Sequence, residues 1–307
     1  MSIPTNNNNN RFSGTGIALI TPFRNGAIDF PALKNIIEYV IENGVDYLVS
    51  LGSTGESVTL SSEECRAVID FTIEVNNGRL PLVVGMFGHN NTAQLIERFK
   101  NFNFSGIDAV LSSSPAYNKP SQEGIFQHYV AVSERSPVPI IIYNVPSRTG
   151  SNVEAETVIR LAKASHKFIG VKEASGDIIQ TSHIIKNRPE GFLVLSGDDP
   201  SALACIACGG DGLISVIGNC LPYETAQMIR QALNNDITSA SKYHLQLLNM
   251  HHWLYLEGNP VGLKAVMEIQ GLCTREVRLP LVKFSEKHME SVKAELELAG
   301  EMAKDNA

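Results

Sequence analysis

Lys172 closes the apolar run Phe168–Lys172 and is followed at once by a glutamate. An ammonium group ending a strand that reads as buried has two explanations. Either a carboxylate ties it down for structural reasons, or it is a nucleophile. Neighbouring strand residues point to opposite faces, so Glu173 would not neutralise it. Burial among apolar layers pulls a lysine pKa below its ordinary value of about 10.4, and the neutral amine attacks a carbonyl to form a Schiff base. Other groups could serve that chemistry. The turn Gly52-Ser53-Thr54-Gly55 offers two hydroxyls and free N–H groups that can hold a carboxylate, although such a turn is also an ordinary helix cap. Tyr143 and Tyr117 stand at a run's end and in a loop; near a serine hydroxyl they could relay protons, or they are simply aromatics with a wet hydroxyl. Arg148 either caps its loop or grips a second carboxylate in bidentate fashion.

These residues need a scaffold that brings run ends together. Eight apolar runs recur: Gly16–Thr21, Tyr47–Leu51, Leu82–Phe87, Ala109–Ser113, Ile140–Asn144, Phe168–Lys172, Phe192–Ser196 and Leu213–Ile217. They are rich in Val, Ile and Leu and do not alternate with polar residues, as in strands covered on both faces. Helical segments follow each run, with starts at Ser61-Ser62-Glu63-Glu64, Asn91-Thr92, Asn152-Val153-Glu154 and Pro222. Eight β–α units in this order predict an α/β fold, a (β/α)8 TIM barrel with additional C-terminal helices. An open doubly wound sheet is the alternative. Gly52-x-x-Gly55 and Gly209-Gly210-x-Gly212 supply neither phosphate fingerprint that would favour it. Three further helical patterns run from Ile237 to Leu256, Pro260 to Gly271 and Ser285 to Lys304. The expected division is a disordered tail over 1–11, including Asn6 to Asn10, a barrel over 12–235 and a helical extension over 236–307.

Composition narrows the classes of partner. The chain has 307 residues, 43% hydrophobic and 19% charged, with a formal net charge of −7. A large core is affordable, and no basic cluster marks a nucleic-acid or anionic membrane surface. No apolar stretch reaches the length of a spanning helix and the N-terminus has no apolar signal core, so a cytoplasmic protein is expected. Five scattered cysteines argue against a disulfide framework, and Cys205-x-x-Cys208 reads as two buried small side chains. His244, His251 and His252 are too badly spaced to share a metal and read as surface or interface residues, so no metal is expected.

Five motifs together resemble the dihydrodipicolinate synthase and N-acetylneuraminate lyase superfamily. They are Gly52-Ser53-Thr54-Gly55-Glu56-Ser57, Tyr117-Asn118-Lys119-Pro120, Tyr143 through Gly150, Val171-Lys172-Glu173-Ala174 and Ser196-Gly197-Asp198-Asp199. The resemblance runs from about Gly14 into the C-terminal helices. It implies a homotetramer, a dimer of dimers, that works through a covalent imine with pyruvate at Lys172 and needs no other cofactor. It also implies that Ser53 and Thr54 bind the pyruvate carboxylate, that Tyr143 moves protons, and that Tyr117 enters a neighbouring subunit's site. Gly197 and Ile214 would line the pyruvate pocket. Arg148 matches the arginine set against the carboxylate of L-aspartate 4-semialdehyde, which sialic acid lyases lack. The implied reaction is therefore the synthase condensation that yields 4-hydroxy-tetrahydrodipicolinate in lysine biosynthesis. Another pyruvate-dependent aldolase or sugar-acid lyase is the main alternative, and a non-catalytic pyruvate-binding barrel is a second.

Some positions depart from the pattern. Ser53 stands where synthases usually have threonine, which keeps the hydroxyl and loses the methyl that fixes χ1. At the positions matching the effector site of lysine-inhibited synthases, Asn90 and Ser57 are kept. Ala116 replaces an aromatic, Gln94 a glutamate and Cys65 a histidine. These changes predict weak or absent inhibition by lysine.

Overall fold

The computed structural model describes residues 11–306. Eight strands close into a barrel: β1 (Gly14–Ala18), β2 (Tyr47–Ser50), β3 (Leu82–Val84), β4 (Ala109–Ser113), β5 (Ile140–Asn144), β6 (Phe168–Glu173), β7 (Leu193–Ser196) and β8 (Gly212–Ser215). Each pairs in parallel with its sequence neighbours, and β8 pairs with β1, for example Gly16 against Ile214. Nearly every strand residue is buried, which is why the runs do not alternate.

The expected runs and the observed strands differ mainly at their ends, and backbone geometry explains several differences. The second run stops at Ser50 because Leu51 has a positive φ of 58°. The third stops at Val84, where Gly85 passes so close to Gly52 that a Cβ would sit 2.8 Å from its Cα. The eighth ends at Ser215, and Ile217–Asn219 forms a tight helical turn instead.

The first helices are α1 (Phe30–Glu42), α2 (Ser62–Asn76), α3 (Thr92–Asn101) and α4 (Gln122–Ser133). After β5 come a single turn, α5 (Pro146–Thr149), and α6 (Ala155–Ala164); α7 (Ile178–Asn187), α8 (Ala202–Ala207) and α9 (Pro222–Leu233) complete the ring. Start signals act as their chemistry dictates. Ser61 and Glu64 form a reciprocal capping box on α2, Asn91 caps α3, and Pro222 opens α9. Asn152 does not cap α6. It joins Asn144 and Gln180 in a hydrogen-bonded group behind the strand ends.

The C-terminal helices are α10 (Ile237–Tyr255), α11 (Val261–Ile269) and α12 (Met289–Asn306). Gln246 of α10 donates to the carbonyl of Ala299 in α12 at 2.5 Å, tying the two together. Val261 through Met267 are all buried, so α11 is covered all round.

Residues 1–10 lie outside the described residues. Arg11, counted with the tail, ion-pairs with Asp108 at 3.0 Å, and the Phe12 ring meets Tyr47 edge-on at 6.0 Å. His251, expected at a surface or interface, is buried, and burial lowers its ring pKa; a helix that packs on both sides leaves no solvent face at that position. Cys205 is buried and burial pushes its thiol up to about 12, whereas Cys208 is exposed, contrary to the expected pair of buried residues. Among the described residues no group of acidic, histidine and cysteine side chains is arranged to hold a metal, and no helix is long and apolar enough to cross a membrane.

Candidate active site

A cavity of about 350 Å³ opens at the C-terminal ends of the strands, where a barrel of this type presents chemistry. Lys172, Tyr143, Ser53, Thr54, Arg148 and Gly197 all line it. Lys172 is 4% exposed and Tyr143 7% exposed, so both belong to the cavity floor. They are register neighbours across β5 and β6, and the Lys172 Nζ lies 4.5 Å from the centroid of the Tyr143 ring.

Lys172 has no ion-pair partner among the described residues. Glu173 faces the other way. Its carboxylate accepts from Asn144 Nδ2 at 2.9 Å, from Gln180 Nε2 at 3.0 Å and from the Ser175 N–H at 2.8 Å. Those donors satisfy the buried acid without any cation, which leaves the amine on the inner face unclaimed. Gly197 makes the space for it. A Cβ there would stand 2.8 Å from Lys172 Cε and 2.9 Å from its Cγ.

The Ser53–Gly55 turn follows β2 as one short 3-10 turn. Thr21 Oγ1 donates to the Gly55 carbonyl at 2.7 Å, and Asn259 Nδ2 donates to Thr54 Oγ1 at 3.0 Å. Asp199, which the motif reading left without a role, accepts from Ser215 Oγ at 2.6 Å and from the Val216 N–H at 2.9 Å. It therefore shapes the turn after β8. Arg148 is exposed on α5 and reaches the same cavity from the rim.

Two expected residues lie elsewhere. Ile214 is fully buried in one cluster with Ala18, Val49 and Leu111, which do line the cavity, and Val216, two residues further along the chain, is the wall residue from this segment. Tyr117 is 94% exposed, has a positive φ of 68°, and does not line the cavity. Sequence reasoning missed Tyr255, Asn259 and Leu281, which come from the C-terminal extension and wall the mouth. Gly258-Asn259-Pro260 was the available signal, a break between two helical patterns. A wider groove of about 510 Å³ lies between α6 and α7 on the outer layer. It is lined by Arg160, Lys163 and His183, and Arg160 is engaged by Glu123 and the Phe126 ring. Among the described residues no hydroxyl or phenol lines it beside Lys163.

A buried amine, a phenol beside it, a hydroxyl-bearing turn and a guanidinium at the rim are the parts needed to capture a keto acid as an imine and to present a second acidic substrate to it. Comparison with known proteins agrees with that chemistry. The model of the dihydrodipicolinate synthetase family matches residues 11–299. A 4-hydroxy-tetrahydrodipicolinate synthase of Flavobacterium psychrophilum is 50% identical over 276 residues, 90% of this chain and 94% of the relative. That of Cytophaga hutchinsonii is 49% identical over 275 residues, 89% and 92% of the two chains. The crystal structure of the chloride-inhibited dihydrodipicolinate synthase of Acinetobacter baumannii with pyruvate superposes with a TM-score of 0.90 at 37% identity, covering 94% of this chain and 99% of that one. The chain belongs to the dihydrodipicolinate synthetase family.

Proposed function

We propose that this chain is a lyase with 4-hydroxy-tetrahydrodipicolinate synthase activity, condensing pyruvate with L-aspartate 4-semialdehyde through an imine at Lys172. The observation that carries the reading is the Lys172 side chain, 4% exposed at a cavity floor and free of any acid among the described residues. A sugar-acid lyase is the second reading; Arg148 at the rim favours a second substrate that brings its own carboxylate to pair with the guanidinium.

Each step follows from the groups in the cavity. Lys172 Nζ adds to the pyruvate carbonyl, and loss of water gives the imine. Ser53 and Thr54 hold the pyruvate carboxylate. Tyr143, relaying protons with the Ser53 hydroxyl, takes a methyl proton as its own hydroxyl proton passes to the imine nitrogen; the resulting enamine carbon attacks the semialdehyde carbonyl, and the same relay in reverse returns a proton from nitrogen to the new alkoxide. The substrate's own amine then attacks the imine carbon and expels Lys172, closing the ring. Arg148 orients the semialdehyde carboxylate with paired hydrogen bonds. Gly197 leaves room for Lys172, and Ile214 supports the wall from behind. No resident cofactor or metal is called for.

The division into a barrel over 12–235 and an extension over 236–307 belongs to the same proposal, with the extension closing the mouth. Tyr117 would act in a neighbouring subunit of a homotetramer, a dimer of dimers; its exposure and left-handed backbone support that role. The enzyme would work in the cytoplasm, on pyruvate and the semialdehyde, with neither nucleic acid nor membrane as a partner. Product analysis with both substrates, alongside Lys172→Ala, tests the proposal. Borohydride with pyruvate should add mass at Lys172 in the parent and nothing in the variant; a parent that gains no mass refutes the imine.

A further inference from the structure

The Ser53–Thr54 turn is held from behind by residues of α11 and the segment just before it. Two contacts join them. Asn259 Nδ2 donates to Thr54 Oγ1 at 3.0 Å, and Lys264 Nζ donates to Glu56 Oε1 at 2.6 Å. Lys264 is 0% and Glu56 2% exposed, so this ion pair is fully removed from water. The second oxygen of Glu56 accepts from the Arg278 N–H at 3.2 Å. Lys264 also donates to the Glu276 carbonyl at 2.8 Å and lies 4.2 Å from the centroid of the Phe23 ring. Glu56 follows the turn directly and has a positive φ of 52°.

Both features cost free energy. A buried ion pair is often no more stabilising than apolar side chains of the same volume, and a left-handed glutamate is strained. Stability alone therefore does not account for them, and their place beside the turn does. Because Thr54 Oγ1 accepts from Asn259, its own hydrogen is free for an acceptor in the cavity. A fixed Glu56 sets the direction of the peptide groups that precede it.

We propose that Glu56 and Lys264 are positioning residues for the substrate carboxylate: with Asn259 they hold the turn so that its hydroxyl and N–H donors aim into the cavity. The inference rests on the reading that Ser53 and Thr54 seat the carboxylate of pyruvate. It assigns the C-terminal extension a part in recognising the keto acid.

The test replaces the pair by neutral residues of similar shape, Glu56→Gln with Lys264→Met, in the full chain. Borohydride trapping is followed with pyruvate and with acetone, which has the ketone and lacks the carboxylate. The half-saturation for pyruvate should rise about tenfold, the value of one charge-assisted hydrogen bond lost. Acetone trapping should be unchanged, and kcat and the KM for the semialdehyde should stay within about twofold. Unchanged pyruvate half-saturation, or equal losses with both ketones, overturns the proposal. Should the double variant fail to fold, Asn259→Ala leaves the pair in place and should show the same pyruvate-selective loss; an unselective or absent effect overturns it equally. Thr54→Ala separates the two readings. If it leaves pyruvate half-saturation unchanged, the carboxylate seat itself is wrong. If it raises the value while the pair variant does not, only the positioning role fails.

Discussion

Gly197→Ala asks whether the space beside Lys172 matters to the reaction. The new methyl would stand 2.8 Å from Lys172 Cε, 2.9 Å from Lys172 Cγ and 2.7 Å from the Ala174 Cβ, against 3.4 Å where ordinary contact begins. The Ala174 methyl is fixed to the backbone just past β6 and cannot swing away, whereas the lysine can change rotamer. The side chain must therefore yield by about 0.6 Å or more at Cε, and the displacement grows toward Nζ; a misplacement near 1 Å costs on the order of a hundredfold in rate. The expected result is kcat reduced by one to two orders of magnitude, with pyruvate adduct formation slowed by the same factor. Single-turnover trapping with borohydride and mass analysis measures the step, and a thermal melt checks that the barrel remains intact. A folded variant that forms its adduct within twofold of the parent rate would refute the idea that this glycine sets the amine's position.

Three further outcomes are expected. Arg148→Ala should raise the KM for the semialdehyde by about ten- to a hundredfold while leaving pyruvate trapping at Lys172 unchanged; parallel losses in both would remove Arg148 from the second-substrate role. Millimolar lysine should leave steady-state activity nearly unchanged, because Ala116, Gln94 and Cys65 lack the matching groups and the Asn90 side chain is already bonded to Ala116 and Asn118; strong inhibition in a lysine titration contradicts this. The bidentate Arg278 guanidinium holds the Glu64 carboxyl at about 2, below its ordinary 4.5, so its stabilisation is complete above about pH 4.5 and is lost as pH falls toward 2. The gap in stability between the parent and Arg278→Ala should be on the order of 1–2 kcal/mol near neutrality, after screening at a partly exposed site, and should shrink across that window; a gap constant with pH would refute the assignment.

Much of the barrel was legible because parallel strands covered on both faces write unbroken apolar runs. Ala109–Ser113 and Ile140–Asn144 were read to the residue. The opposite orientations of Lys172 and Glu173 followed from the two-residue period alone. Depth along a strand was not legible. Ile214 lies within β8 and Val216 just past its end, where the backbone turns helical, and the point at which the strand stops decides which of them reaches the cavity. Nor could periodicity dock the extension. It marked α10 and α11 as helices, but Asn259 and Thr54 are 205 residues apart, and Glu56 and Lys264 208. Nothing in local pattern joins such positions. Glu56 stood in a quoted motif, yet its lysine partner lay in a segment read only for its helical spacing.

The contact between Lys264 and Glu56 also bears on how the protein is made. Synthesis delivers the reactive lysine while the helix that braces the turn is still untranslated. A nascent chain ending inside the barrel would carry a nucleophile without a finished seat for its keto acid. On the proposed reading, full affinity for the keto acid thus waits for the C-terminal extension, and a chain that stops short of α11 should trap pyruvate more weakly than the complete one.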